Sequence, residues 1–194
     1  MVAPRYPVAK ATLSLHATAA GALSGTSGGD GTRAFIGDPR GQDGQPTGNV
    51  EYTSAPLTQD LVLAGLPELR LSASVTGQNV ALVANVFDKS PTGELRRITH
   101  FSINPLLRNS LASPTPVVPG QVMTMKPPGW AMGQHVKEGH SLVLRIASSD
   151  PDKVALQGAD ARVTVHSRRE GTLLRLPVVQ GPQLRTDNLV TTVE

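Results

Sequence analysis

At 194 residues the chain has the length of one large β-domain, and its 39% apolar residues are enough for a sizeable core. Only 3% are aromatic, so that core must be built mainly from Leu, Val and Ala. The 19 glycines and 16 prolines suit an all-β protein with many turns and argue against a helical one. The formal net charge of +3 and the sequence pI of about 9.6 come from scattered basic residues. The doublets Arg96-Arg97 and Arg168-Arg169 have no aromatic neighbours on which bases could stack, so no nucleic-acid partner is expected. The absence of cysteine excludes disulfides, a thiol nucleophile and cysteine-ligated metal, and leaves cytoplasmic and secreted settings both open. No apolar run approaches the roughly 20 residues that span a bilayer, so no membrane partner is expected. The start, Met-Val-Ala-Pro-Arg-Tyr-Pro, lacks the apolar centre of a secretory signal and reads as a cut inside a longer protein, with Met added.

In chain order, Leu13 and Leu15 alternate with Thr12, Ser14 and His16, the pattern of a half-buried strand, and an Ala-Gly-rich continuation runs to Ser24. Residues 24–49 form a long loop rich in Gly and Asp, irregular and pinned once by Phe35. From Glu51 to Phe87 come apolar runs punctuated by Gly and Pro, which read as consecutive strands with tight connections. In Val80–Phe87 both alternate faces are apolar except at Asn85, as expected for a strand buried on both sides. Pro91-Thr-Gly93 turns this run back into Leu95–Ile103. Asn104–Ala112 is a short strand or one helical turn. Ser113–Gly120, rich in proline, lies outside any sheet. Gln121–Lys126 reads as a strand and Gly129–Lys137 as a connection carrying Trp130. Leu142, Leu144 and Ile146 share one face of the strand Ser141–Ala147. Arg162–His166 and Thr172–Val179 read as a final antiparallel pair around Arg169-Glu-Gly171, and residues 180–194 as a loosely held tail. The sum is one domain over residues 1–194, an all-β sandwich with jelly roll as the leading topology.

The chemistry-bearing residues form few patterns. Gly25-Thr-Ser-Gly-Gly29 matches the G-x-S-x-G nucleophile elbow, but no buried strand enters Ser27 and no helix leaves it, so the match reads as chance. His135 and His140 flank Glu138 at a spacing that fits no common zinc signature, and a polar strand entry is the plainer reading. His16, His100 and His166 are read at strand ends. Asp30, Asp38 and Asp43 do not follow the D-x-D-x-D spacing of a calcium loop. Trp130 either plugs the core edge or presents a flat face to a partner or a sugar. No catalytic residue, cofactor or metal is expected within this chain. Trp130, Tyr52 and His140 are the candidates for an interface or ligand surface.

Several motifs together resemble one family. Tyr52-Thr-Ser-Ala-Pro-Leu-Thr-Gln-Asp60 through Gly65-Leu-Pro67 is similar to the F-x-S-x-P-L-x-x-D…G-x-P signature of the C-terminal domain of X-Pro dipeptidyl-peptidases and cocaine-esterase-like (CocE/NonD) serine hydrolases. Val86-Phe-Asp88 with Pro91-Thr-Gly93, Pro119-Gly120, and Gly139-His140 through Asp150 follow in that family's order. Tyr6-Pro7 with Leu13-Ser-Leu15 and Gly21-Ala-Leu23 looks like its entry strand, and Leu176-Pro-Val-Val179 like its last. The chain departs from the pattern at Asp150-Pro-Asp152, where F-P is usual and an asparagine-rich continuation is missing, and at Pro-Thr-Gly in place of P-D-G.

The resemblance implies a galactose-binding-like jelly roll joined, in a parent chain, to an α/β-hydrolase domain carrying a Ser-His-Asp triad. None of that triad falls in this sequence. The implied role is non-catalytic: walling the substrate pocket and supporting domain and oligomer contacts. A carbohydrate- or surface-binding β-sandwich module is the alternative.

Overall fold

The computed structural model describes residues 9–37, 48–150, 160–168, 170–180 and 190–192. They form fourteen short strands and a single 3₁₀ turn. The strands are β1 (Ala11–Ala17), β2 (Ala22–Ser24), β3 (Gly31–Ile36), β4 (Asn49–Ser54), β5 (Leu61–Gly65), β6 (Glu68–Val75) and β7 (Leu82–Lys89). After these come β8 (Leu95–Ile103), β9 (Met123–Met125), β10 (Met132–Val136), β11 (Ser141–Ala147), β12 (Arg162–Ser167), β13 (Leu173–Gln180) and β14 (Val190–Thr192). The expectation of an all-β chain holds.

The strands hydrogen-bond in the order β3-β12-β6-β13-β1-β2-β4-β11-β7-β8, with β5, β9, β10 and β14 joined at the sides. Every pairing is antiparallel except that of β2 with β4. The inward faces enclose one core of Leu, Val, Ala and Met, with Tyr52, Phe35 and Phe101 as its aromatic members. Alternation sets this up: Leu13 and Leu15 of β1, Leu142, Leu144 and Ile146 of β11, and Leu174, Leu176 and Val178 of β13 all point inward. As expected, β7 is buried on both faces. Leu82, Ala84 and Val86 join the core, while Val83 and Asn85 are covered on the other side. The β7–β8 hairpin closes at Ser90–Glu94, where Gly93 takes the left-handed φ of +90° that the turn requires.

The structure corrects five local readings. First, β4 to β7 are consecutive in sequence but do not pair with one another: β4 lies beside β11, β5 beside β10 and β13, and β7 between β11 and β8. Apolar runs mark strands; they carry no record of which strand lies alongside. Second, the loop at 24–49 contains β3, paired with β12, because Phe35 brings its neighbours into register when it enters the core. Its Asp38 and Asp43 lie outside the described residues. Third, the connection at 129–137 contains β10, paired with β5.

Fourth, β12 and β13 are not a hairpin. Both run antiparallel along β6 in one line, Val163 opposite Val75 and Val165 opposite Ala73, then Leu173 opposite Arg70 and Arg175 opposite Glu68. The ends of the two strands stay together, since Thr172 N–H donates back to His166 O at 3.2 Å. A Cβ on Gly171 would lie 2.7 Å from that same oxygen, so this position needs glycine. Turn-forming composition marks a break in a strand and does not by itself mean reversal. Fifth, His100 lies in the middle of β8 and not at a strand end. Of the expected tail, Val190–Thr192 pair with β1 as β14. The 3₁₀ turn Pro105–Leu107, capped by Asn104, supplies the predicted single helical turn. The proline-rich stretch 113–120 stays outside the sheet.

Candidate functional site

Period-2 alternation gives β4, β11, β7 and β8 a second face, opposite the core. Register aligns one residue from each into a transverse row: Glu51 opposite Arg145, Arg145 opposite Asn85, Asn85 opposite His100. Their strand neighbours Tyr52, Leu144, Val86 and Phe101 point the other way, into the core. With strands about 4.8 Å apart, the row spans roughly 15 Å. Each member has a fixing contact. Arg145 Nε donates to Glu51 Oε1 at 2.5 Å, and the Arg145 guanidinium lies 5.0 Å from the centre of the Phe87 ring. Asp150 Oδ2 accepts from Asn85 Nδ2 at 2.9 Å and from Arg97 Nη1 at 2.8 Å. Asp150 is only 4% exposed, so these donors replace the water it has lost. Asn85 Oδ1 is buried with no partner among the described residues.

Trp130 ends the row. Its ring stacks on His100 with centroids 5.1 Å apart and planes 27° from parallel. Its backbone is fastened by Thr99 Oγ1, which donates to Trp130 O at 2.9 Å, and by the bridge between Gly129 and Phe101. A Cβ on Gly129 would meet Pro67 O at 2.7 Å, so the chain passes there too closely for any side chain. Trp130 remains 64% exposed. Its ring therefore lies outside the core.

The other two candidates lie elsewhere. Tyr52 is fully buried in the core, which corrects its expected place on a surface: position 52 falls on the inward face of β4. Burial pushes its phenol up to about 12, against the opposing Arg33 charge, whose guanidinium lies 5.4 Å from the ring centre. Ser167 lies near enough to oppose that shift as well. Neither hydroxyl has a hydrogen-bond partner among the described residues. His140 is half-buried, with Nδ1 2.6 Å from Asp88 Oδ1. Backbone bonds from Leu57 N–H to His140 O and from Gly139 N–H to Leu57 O tie the segment after β4 to the turn before β11. Beside them Asp60 accepts from Glu138 N–H at 2.9 Å and lies 2.7 Å from His135. The first of these contacts, helped by the second, holds its carboxyl below the usual range.

His135 and His140 share a polar cleft of about 260 Å³ with Asp88, Ser90, Glu94, Arg96 and Lys137. The Asp88–His140 pair has the form of half a triad. Ser90, the serine lining the same cleft, instead bonds Thr92 and caps Glu94 N–H within the β7–β8 turn. Ser27 is exposed between β2 and β3, with no helix following it. Among the described residues no three His, Cys, Asp or Glu side chains gather as a metal site. A shallow groove of about 540 Å³ runs between Leu66–Arg70, Lys126–Gly129 and Leu173–Arg175. Leu66, at its rim, is 61% exposed.

Sequence reading missed the row because its members are spread over four strands. The available signal was Asn85 and Arg145, single polar residues inside otherwise apolar runs.

Residues 4–187 match the family model described as the X-Pro dipeptidyl-peptidase C-terminal non-catalytic domain. The chain belongs to this family. No curated protein matches it in sequence. Among solved structures it is similar to an aminopeptidase from a marine sediment Thaumarchaeota archaeon, at 16% identity and a TM-score of 0.73, covering 87% of this chain and 37% of that one. It is also similar to a CocE/NonD family hydrolase from Staphylococcus aureus, at 13% identity and a TM-score of 0.74, covering 93% and 38%. An α-amino acid ester hydrolase follows, at 18% identity and a TM-score of 0.68, covering 88% and 36%. At such identities the likeness is one of fold. The chain spans less than two fifths of the length of each of these proteins.

Proposed function

We propose that this domain is the accessory, non-catalytic part of a serine hydrolase of X-Pro dipeptidyl-peptidase or acyl-esterase type. In this reading it is a galactose-binding-like jelly roll packed on an α/β-hydrolase domain of the same polypeptide. There it walls the substrate pocket and supports domain and oligomer contacts. The observation that carries the reading is the match of residues 4–187 to a domain described as C-terminal and non-catalytic. The short span of this chain against its structural relatives agrees with it. The groove beside Leu66 suits a domain contact: an exposed leucine and three prolines (Pro67, Pro127 and Pro128) form its apolar wall.

The test joins this domain to its upstream hydrolase and measures turnover of p-nitrophenyl esters and X-Pro anilides. The isolated domain is expected to be inert. The joined chain is expected to be active, and Leu66→Asp is expected to weaken its domain packing. Ester or anilide hydrolysis by the isolated domain, abolished by Ser27→Ala, would overturn the proposal.

A further inference from the structure

The transverse row and its terminal tryptophan do not line the groove proposed as the domain contact, which ends at Gly129. We infer that Trp130 is the stacking platform of a binding subsite for a neutral carbohydrate, which extends past His100 toward Arg97, Arg145 and Glu51, with Asn85 buried beneath it. Three observations carry this beyond an exposed aromatic. The indole is held in advance, with one face on His100 and its backbone fixed by Thr99 and by the close passage at Gly129, while 64% of the residue faces solvent. A ligand ring stacking on it therefore meets a surface that loses little freedom on binding. The π-face is electron-rich and attracts the polarised C–H groups on the flat side of a pyranose.

The groups beside the platform are planar and polar. The side chains of Arg97, Arg145 and Glu51 are 30%, 19% and 40% exposed. Guanidinium and carboxylate groups of this kind bond paired hydroxyls in fixed geometry. Arg145 is oriented by the bond from its Nε to Glu51.

Charge selects the ligand class. Arg97 and Arg145 are matched by Asp150 and Glu51, so the face has no net charge to attract nucleic acid or an acidic peptide. It is also unlike the centre of a protein interface, where charged residues are depleted. What it offers is one apolar plate and a line of hydrogen-bonding groups, and that combination fits an uncharged polyol ring. A row of roughly 15 Å is longer than one sugar ring, so a short oligosaccharide fits better than a monosaccharide.

The experiment uses the single tryptophan of the chain, whose indole N–H gives one assignable NMR signal. The chain is titrated with methyl β-glucopyranoside, methyl β-galactopyranoside and the corresponding β-1,4-linked tetrasaccharides. A saturable shift of the Trp130 signal is expected for at least one sugar series, with the tetrasaccharide about tenfold tighter than its monosaccharide. By ligand-observed NMR, Trp130→Ala is expected to lower affinity tenfold or more and Trp130→Phe to retain part of it; both are exposed changes that leave the fold intact. The absence of a saturable shift with all four probes overturns the proposal, as does binding unchanged in Trp130→Ala. If all four probes fail and Trp130→Ala instead weakens packing of the joined hydrolase, the plate is a domain contact and the carbohydrate reading is wrong. The accessory-domain proposal is untouched by either sugar result.

Discussion

The two faces of the sheet β4-β11-β7-β8 are made from alternating residues of the same strands, yet they are held by different physics. Tyr52, Leu144, Val86 and Phe101 face inward and are fully buried, sealed by apolar packing. Glu51, Arg145, Asn85 and His100 face outward and are held by directed bonds and ring contacts: Arg145 to Glu51 and over Phe87, Asn85 to Asp150, and His100 to Trp130. A single backbone thus carries an apolar surface that decides stability and, one residue away, a polar surface of a different make. Moving the register by one residue would exchange them.

If that division is right, mutations on the two faces differ sharply in effect. Leu144→Ala empties a fully buried site and is expected to cost about 2–5 kcal/mol in denaturant unfolding. A cost under about 1 kcal/mol would mean that the inward face is not the stabilising one. Asp150→Ala leaves Asn85 Nδ2 without its acceptor beneath the outer face and is expected to cost about 1–3 kcal/mol. Loss of this size with an unchanged core would show that the outer network has a stability of its own.

Tyr52 sharpens the comparison, because it is the inward residue with a polar end. Its hydroxyl has no partner among the described residues, so Tyr52→Phe is expected to change stability by less than about 1 kcal/mol at neutral pH, in either direction. The pH dependence has a definite sign. The folded phenol titrates near 12 and the unfolded one near 10. Between those values the unfolded state gives up its proton first, so stability is fully present below pH 10 and is lost as pH rises toward 12. Thermal melts of wild type and Tyr52→Phe across this window should diverge, with the variant losing less. Parallel curves would mean that the phenol is not buried as described. The smallest effect belongs to Trp130→Ala, expected to stay within about 0.5 kcal/mol of wild type despite removing the largest side chain of the molecule. A larger loss would make the tryptophan structural and not a displayed plate.

Much was legible in the sequence. Alternation in β1, β11 and β13, the β7–β8 turn, the single helical turn and the family motifs are local patterns, and each survived. Local pattern also misled in definable ways. The Arg169–Gly171 segment reads as a turn because it is one by composition, but its two flanking strands are collinear because β6 offers both of them partners. Tyr52 looked like a surface residue as part of a motif, although position parity on β4 sends it inward.

By itself the sequence determined the fold class, the apolar composition of the core and the family, because these follow from residue period, turn chemistry and motif order along the chain. Only the tertiary structure decided which strands lie side by side. It therefore also decided that Glu51, Arg145, Asn85, His100 and Trp130 form one row. Pairing joins residues as distant as Ala11 and Thr192, and within the row Glu51 and Arg145 lie 94 positions apart. No local propensity encodes such a contact; it arises when burial of the opposite face sets the register of every strand at once.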